Sequence, residues 1–520
     1  MKSLKNVVLV FAVLAMLPMT AVAQKTEKIT CKNERCVLEI LEKLKSPDPT
    51  TVSEAKAQVD IWANHVRYTG DPEMKDALKN AIFIVFEKYK YYDCDEYLFA
   101  ELSRFCNKYD ADDILRLASI EPIAGAAIRC VGDIPGSQDV VMKYIDAHKD
   151  NPQHKDALAY AIGKLKITSM EDVLVSWLKK ADENTKIEIY NALLIVRSNE
   201  KTDAIIVKGA KKLNKSKNVD TKIAGMKLLA AVKGEKSLSM LYKSLKNKDK
   251  RVQVTALELM KPFANDEVCA KTVKLCVKNN ATAEVLNWLG DIKNDSQIEF
   301  VINQLASENT QVVEAAIRAA FKIDNPDGIA AVKPMFGGQY QEVIKESMIS
   351  YEGNYTMLMN DMLRGRDEQK LAALQILEQR PVVAANNRVK DLLYSKNQEI
   401  SDKAYQVLKL VVIPSNADFL RELLQNCDAI YVEDVQLAIK NGIAGLSETS
   451  KDNFVIALKN VRPDIMPRYY KVFAYFGTEL SVNKLIEAYE SGEYKNDAKE
   501  ALLLVDNKAY KDRIEEVLKH

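Results

Sequence analysis

The chain has 520 residues, more than one compact core of ~100–200 residues usually holds. Its 18 glycines and 14 prolines are few, while alanine, leucine, lysine and glutamate are plentiful, so the composition favours helices. With 74 basic and 73 acidic residues, the chain lacks the surplus of Lys and Arg that phosphate binding requires. This balance excludes nucleic acid as the main partner.

Residues 1–23 have the pattern of a secretory signal peptide. Lys2 and Lys5 precede an almost wholly apolar run that ends in a small-x-small motif, and we predict cleavage between Ala23 and Gln24. The alternative is a transmembrane anchor, for which the apolar run is short. No cysteine stands at the cut, so no lipid anchor is expected. We therefore predict a periplasmic or secreted protein, without stable membrane insertion after cleavage.

Eight cysteines follow the cleavage site, and an oxidising compartment would permit disulfides. Cys31 and Cys36 lie close together in an N-terminal segment and form the predicted local pair. Cys269 and Cys276 stand seven residues apart on a predicted helix, about 10 Å from each other, which is too far to bridge. We predict that these two and Cys427 are buried free thiols.

Helix starts are well marked along the chain. Four segments fit the capping box, in which Ser or Thr is followed three residues later by Glu. Two others place Asp or Asn directly before a proline at the first helical position. In chain order these starts are Thr51 with Glu54, Asp71-Pro72, Thr168 with Glu171, Thr185 with Glu188, Ser296 with Glu299, and Asn325-Pro326. No convincing run of alternating strand residues is present.

Apolar residues recur at a step of about 30. A spacing of 30 residues separates each of Leu245, Leu275, Leu305 and Met335 from the next. Leu363 follows after 28 residues, and the spacing returns to 30 residues at Leu393 and Leu423. This period is typical of two short helices joined by tight turns. We predict an all-α, right-handed α-solenoid, or superhelix, of stacked antiparallel helix pairs with about 30 residues per repeat. The predicted organisation is irregular repeats over 24–150, regular repeats over 151–430, and C-terminal repeats with a cap over 431–520.

The stretch VLNWLGDIKND, from Val285 to Asp295, belongs to this pattern. Similar stretches recur at 130–139, 161–170 and 320–329, each at the end of a first helix. Glycines at 132, 163 and 290 are predicted to give these helix ends conformational freedom. Asp133 and Asp291 are predicted to bond to the turn backbone, and Trp288 to pack against neighbouring helices. The alternative, that this stretch is part of a site, is disfavoured because the pattern repeats.

The turn Leu289-Gly290-Asp291-Ile292, followed by a capped helix and by the small residues Ala315, Ala316 and Ala319, resembles bacterial HEAT repeats of the phycobilisome-lyase-like kind. The stretch 112–134 also resembles repeat arrays in exported proteins of Bacteroidetes. In some of those, an array precedes a sugar-active domain; we expect no such domain in this protein, so no sugar chemistry is carried over. The resemblance implies the fold much more than a function.

Two segments, 83–99 and 468–476, are rich in Tyr and Phe. Aromatic rings can form stacking platforms for sugars or peptides. We favour the alternative that they fill and cap irregular terminal repeats.

The chain carries no HExxH, CxxC, GxSxG, P-loop or GxGxxG motif, and its four histidines are not paired at zinc spacing. We predict no metal, no cofactor and no enzymatic activity, although a pair of catalytic carboxylates obeys no spacing rule.

One basic ridge stands out as a candidate binding surface. Its predicted members are Lys208, Lys211, Lys212, Lys215, Lys243 and Lys246. The ridge would suit an acidic protein or an anionic glycan; the alternative is a set of solvated loop lysines. The leading functional hypothesis is a non-catalytic periplasmic scaffold that binds a protein or peptide. The alternatives are an accessory protein or enzyme of periplasmic glycan processing, and a structural envelope protein.

Overall fold

Helices joined by short turns make up the part of the chain that the structure, a computed structural model, describes: residues 33–148, 153–443 and 445–519. No strand occurs within these ranges. No helix in them is long and apolar enough to cross a bilayer. The chain divides into two compact units, with the boundary between Ser237 and Leu238. Because this boundary falls inside the predicted segment 151–430, the proposed three-part division of the mature chain stays a prediction.

Helices α1 to α12 belong to the first unit. Their bounds are α1 Glu34–Glu42, α2 Pro49–Thr69, α3 Pro72–Glu87, α4 Asp95–Phe105, α5 Ala111–Arg116, α6 Ala124–Asp133, α7 Gln138–Ala147, α8 Lys155–Lys164, α9 Glu171–Trp177, α10 Glu183–Val196, α11 Glu200–Leu213 and α12 Val219–Lys233. From α2 to α12, the even-numbered helices pack on one another in succession. We call these the first helices of the repeats and the odd-numbered helices between them the second helices.

The second unit continues the same alternation. Its helices are α13 Leu238–Ser244, α14 Lys250–Met260, α15 Asp266–Lys278, α16 Thr282–Ile292, α17 Ile298–Gln304, α18 Thr310–Ile323, α19 Pro326–Val332, α20 Gln341–Ile349, α21 Tyr355–Leu363, α22 Asp367–Gln379, α23 Asn386–Leu392, α24 Gln398–Val411, α25 Ala417–Asn426, α26 Val432–Ile443, α27 Glu448–Ile456, α28 Tyr470–Phe476, α29 Glu479–Ser491, α30 Lys495–Leu503 and α31 Lys511–Leu518. First helices α14 to α30 pack on one another in succession. The predicted all-α solenoid of helix pairs is confirmed in each unit.

Small residues set the spacing of the first helices. Gly132 lies inside α6, and a Cβ added to it would come within 2.7 Å of the Ala161 Cα on α8. Gly290 lies inside α16, and its added Cβ would meet the Ala319 Cα of α18 at 3.1 Å. The prediction that these glycines give the helix ends conformational freedom was wrong. They lie inside the helices and allow neighbouring first helices to approach closely. The left-handed turn after α16 is made by Lys293 instead, with φ of 52°.

Aspartate and asparagine side chains start several helices. Asp71 and Asn325 cap α3 and α19 directly before a proline, as predicted. The capping boxes predicted at Thr51 and Thr185 were wrong, because Asp48 and Asp182 cap α2 and α10 one turn earlier. Each threonine hydroxyl donates to the capping carboxylate, at 2.6 Å in both cases. A carboxylate accepts from both backbone N–H groups and hydroxyls, so it competes well for the cap.

The two aromatic-rich segments contribute to the cores. Phe86 and Phe99 are buried and stacked, with ring centroids 4.9 Å apart. Near the C-terminus, Phe476 packs edge-on against Phe454 at 5.4 Å, and Tyr469 is fully buried. These rings fill space between helices, as the favoured interpretation predicted.

Candidate binding surfaces

Helix α11 presents a basic face to solvent. Its opposite side buries Ile206, Ala210 and Leu213 in the core. The exposed side carries lysines at positions that share one helix face, i, i+3, i+4 and i+7. These are Lys208, Lys211, Lys212 and, in the turn just beyond the helix, Lys215. Across the described ranges, no carboxylate lies within ion-pair distance of these four ammonium groups. We call them the α11 basic face.

A buried carboxylate fixes the start of α11. Glu171, at the first position of α9 and 8% exposed, accepts from the backbone N–H of Ser198 at 3.0 Å and from its hydroxyl at 2.6 Å. It also accepts from the Thr202 hydroxyl in the first turn of α11. Hydrogen bonds from Ser198 and Thr202 hold the pKa of Glu171 below its usual range. The basic face therefore projects from a helix that is anchored at its N-terminus.

The other two predicted lysines of the ridge lie in the second unit. Lys243 is in the last turn of α13 and Lys246 follows in the next turn, and both are exposed. Their neighbour Lys250 is engaged, because its ammonium pairs with Glu284 at 2.8 Å. The structure thus places the six lysines in two units, and one continuous ridge through all six stays a prediction.

Aspartates at the ends of first helices are held by side chains of neighbouring repeats. Asp133 accepts from the Tyr160 hydroxyl at 2.8 Å. Asp291 pairs with Lys322 at 2.6 Å and with Lys261 at 2.9 Å. Burial raises the pKa of Asp291, but hydrogen bonds from the two ammonium groups outweigh it and leave the pKa lowered. The predicted bonds to turn backbone were wrong for these residues, since their partners are side chains of neighbouring repeats. Trp288 is 2% exposed and packs in the core, as predicted.

The first-helix row opens into a cleft of about 620 Å³ between α18 and α20. Phe321 and Ile323 of α18 and Tyr351, just past α20, are buried at its base. Phe321 and Tyr351 meet edge-on, with centroids 5.5 Å apart, and the Tyr351 hydroxyl donates to Asp324. These large rings keep α18 and α20 apart where alanine and glycine bring α16 and α18 together. Sequence reasoning missed this cleft.

Two further clefts lie elsewhere. One of about 680 Å³ in the first unit is lined by Glu121, Tyr144 and His148, whose ring stacks on Tyr144 at 4.2 Å. One of about 350 Å³ in the second unit is lined by Gln436, Arg468 and other polar residues. No group of His, Cys, Asp and Glu able to hold a metal ion occurs in the described ranges.

Six cysteines in the described ranges are free and buried: Cys94, Cys106, Cys130, Cys269, Cys276 and Cys427. This confirms the prediction for Cys269, Cys276 and Cys427. Burial raises the pKa of the Cys276 thiol to about 12, which keeps it protonated and unreactive. Cys36 takes part in a disulfide. Cys31 lies outside the described residues, as do Ala23 and Gln24, so the Cys31–Cys36 pairing and the cleavage site stay predictions.

Comparisons with known proteins match the chain to solved structures of low sequence identity. No family model matches the chain, and no curated protein matches it. Importin beta, solved in an ammonium sulfate condition, is 11% identical; the match covers 93% of this chain and 79% of importin beta, with a TM-score of 0.49. Kap95p, studied with RanGDP, is 12% identical over 94% of this chain and 80% of its own, with a TM-score of 0.44. Kap121p bound to RanGTP is 13% identical over 94% and 54%, with a TM-score of 0.29.

These scores are low, so the solenoid assignment rests on the helix packing described above. The finer resemblance to phycobilisome-lyase-like HEAT repeats and to Bacteroidetes arrays stays a prediction.

Proposed function

We propose that the protein is a non-catalytic periplasmic scaffold that binds an acidic protein or peptide on the α11 basic face. The observation that carries this proposal is the group of four exposed lysines without carboxylate partners in the described part of the chain. Exposed charge of one sign attracts a partner of the opposite sign and accelerates the encounter.

The lysine spacing supports a binding role because it does not favour the helix by itself. Lys208 and Lys212 are like charges four positions apart within α11, which destabilises a helix by roughly 0.2–0.5 kcal/mol. The helix dipole offsets part of this cost, since the lysines lie near the C-terminus of α11. A partner with a row of carboxylates would relieve the remaining repulsion.

A pull-down from envelope extract tests the proposal. The bait is the full chain, compared with the triple variant Lys208→Glu, Lys211→Glu, Lys212→Glu. A matched control reverses three exposed lysines of α30 and α31 and the turn between them: Lys499→Glu, Lys508→Glu and Lys511→Glu. Captured proteins are identified by mass spectrometry, and circular dichroism verifies that each bait is folded.

We expect the full chain and the control to capture the same protein. The α11 variant should capture about tenfold less of it, because charge-assisted contacts are lost. Capture should also fall as salt is raised, because exposed charges are screened. Equal capture by all three baits would contradict the proposal. Retention of an anionic glycan alone would support the glycan alternative instead.

A further inference from the structure

The cleft between α18 and α20 is lined by charges of both signs. Arg318 and Lys322 project from α18, and Lys293 stands at the end of α16. Glu346 projects from α20, and Glu352 follows the end of that helix. Asp291 and Asp324 also line the cleft on the side of α16 and α18, so three cations and two acids face the two acids of the α20 side across an opening large enough for a small ligand.

Most of these charges are already engaged. Lys322 pairs with Asp291 at 2.6 Å, and Lys293 pairs with Glu352 at 2.9 Å. Arg318 and Glu346 are paired only loosely with each other: their nearest atoms are 3.9 Å apart, beyond hydrogen-bond distance, and their side chains are 39% and 68% exposed. An exposed pair at this distance contributes little to stability, so a ligand can separate its members at small cost.

Arg318 keeps much of its hydrogen-bonding capacity. A guanidinium has five N–H donors, and one of those on Arg318 donates to Glu314 at 3.5 Å. The fork that remains suits a carboxylate, which it can bind through two parallel hydrogen bonds. Glu346 on the opposite wall is a carboxylate acceptor for an ammonium group. The buried rings of Phe321 and Tyr351 between them offer an apolar base for a short side chain or backbone.

We propose that this cleft binds a short zwitterionic peptide, with its C-terminal carboxylate on Arg318 and its N-terminal ammonium on Glu346. A free di- or tripeptide carries its two charges at most roughly 7–10 Å apart, and it fits a cleft of about 620 Å³ when Arg318 and Glu346 separate to receive its ends. This inference goes beyond the proposed scaffold function and does not depend on it, because the α11 basic face lies in the other compact unit.

Ligand-observed saturation-transfer NMR with three defined peptides tests the proposal. The peptides are trialanine, N-acetyl-trialanine without the ammonium, and trialanine amide without the carboxylate. For the full chain we expect trialanine to bind, and each blocked peptide to bind about tenfold more weakly, as for the loss of one charge-assisted contact.

Two variants assign the two ends. Arg318→Met should bind trialanine and trialanine amide equally weakly, whereas Glu346→Gln should no longer distinguish trialanine from its N-acetyl form. Glu342→Gln on the same helix is the control, since Glu342 is exposed, pairs with Lys345 and does not line the cleft. It should bind like the unmodified chain.

Three results would overturn the proposal: no transfer to any of the peptides at millimolar concentration, equal binding of all three, or binding that neither cleft variant changes. The pull-down on the α11 basic face is read separately, so the failure of one proposal leaves the other standing.

Discussion

Gly132 of α6 lies against the backbone of Ala161 in α8, so closely that a Cβ on the glycine would come 2.7 Å from the alanine Cα and 2.9 Å from its Cβ. The relationship recurs one repeat later, where the added Cβ of Gly163 would lie 3.1 Å from the Ala192 Cα of α10. A glycine facing an alanine thus allows neighbouring first helices to approach backbone to backbone.

We expect Gly132→Ala to destabilise the protein. Alanine favours a helix over glycine by about 1 kcal/mol, but forcing two helices apart in a packed core costs typically about 1–3 kcal/mol, so packing should win. Gly125→Ala is the matched control in the same helix, because its Cβ would meet only the His154 Nδ1 at 3.8 Å. Urea unfolding followed by circular dichroism should show a lower midpoint for Gly132→Ala and no loss for Gly125→Ala. Equal midpoints for both variants would show that α6 and α8 can separate freely.

The helix pairs could be predicted from the sequence because their apolar residues recur with the repeat. Val312, Ala316 and Ala319 are all buried, and so are Leu245, Leu363 and Leu393 in the leucine column. A glycine near the end of a first helix is visible too, but its partner across the helix interface is not. Without the partner, Gly290 was interpreted as a helix end, when its backbone lies inside α16.

The cleft could not be predicted in the same way. Arg318 and Glu346 belong to consecutive repeats and are brought to opposite walls only by the spacing of α18 and α20. At the base of the cleft, Phe321 and Tyr351 meet edge-on, and this contact between consecutive repeats is one that no local pattern reveals. The α11 basic face was predictable because helical periodicity alone places its lysines on one side.

Asp291 should contribute to stability in a pH-dependent way. Its carboxylate lies between Lys261 and Lys322, and its pKa is lowered from 3.8. A lowered folded-state pKa stabilises the protein at pH values above the unfolded pKa, and this contribution is lost as pH falls through the folded pKa. Because the Asp291 side chain is about one-third exposed, we expect Asp291→Asn to cost only about 1 kcal/mol at neutral pH.

The measurement is the free energy of unfolding of both proteins between pH 7 and pH 3, in urea. The difference between them should shrink as pH falls below about 4, where the carboxylate protonates in the unfolded chain first. Asp506→Asn is the control, because Asp506 is exposed. A difference that stays constant with pH would show that the two ion pairs do not stabilise the fold.

Export of the chain is tested at the predicted cleavage site. In a host with a Sec pathway, the protein should be recovered from the periplasm with Gln24 as its N-terminal residue, since small residues before the cut are required for processing. Ala23→Leu should leave the precursor uncut, whereas Ala12→Leu within the apolar run should be processed normally, because it keeps that run apolar. N-terminal sequencing of the three proteins decides the matter, and an intact Met1 in the unmodified protein would contradict the prediction.

Arg380 should be essential to the wall of the cleft that α20 forms. One nitrogen of its guanidinium donates to the backbone carbonyls of Met348 at 2.8 Å, Ile349 at 3.2 Å and Tyr351 at 2.6 Å. The guanidinium also lies over the Tyr355 ring, 4.1 Å from its centroid. It thereby supplies a charged donor to the Ile349 and Tyr351 carbonyls at the end of α20, and a further one to the Met348 carbonyl, which also accepts from the Tyr351 N–H at 3.3 Å. Removing it by Arg380→Met should cost about 2–3 kcal/mol, because these carbonyls lose a charged donor and the ring loses its cation.

Arg380→Lys distinguishes geometry from charge. Lysine keeps the positive charge but has no planar fork, so it should recover only part of the lost stability. Urea unfolding gives the stability of both variants, and hydrogen exchange at the amides of 341–355 shows whether the loss is local to α20. Faster exchange confined to this segment is the expected result. Exchange that is unchanged there, or full recovery by lysine, would mean that the three carbonyl contacts do not hold the end of α20 in place.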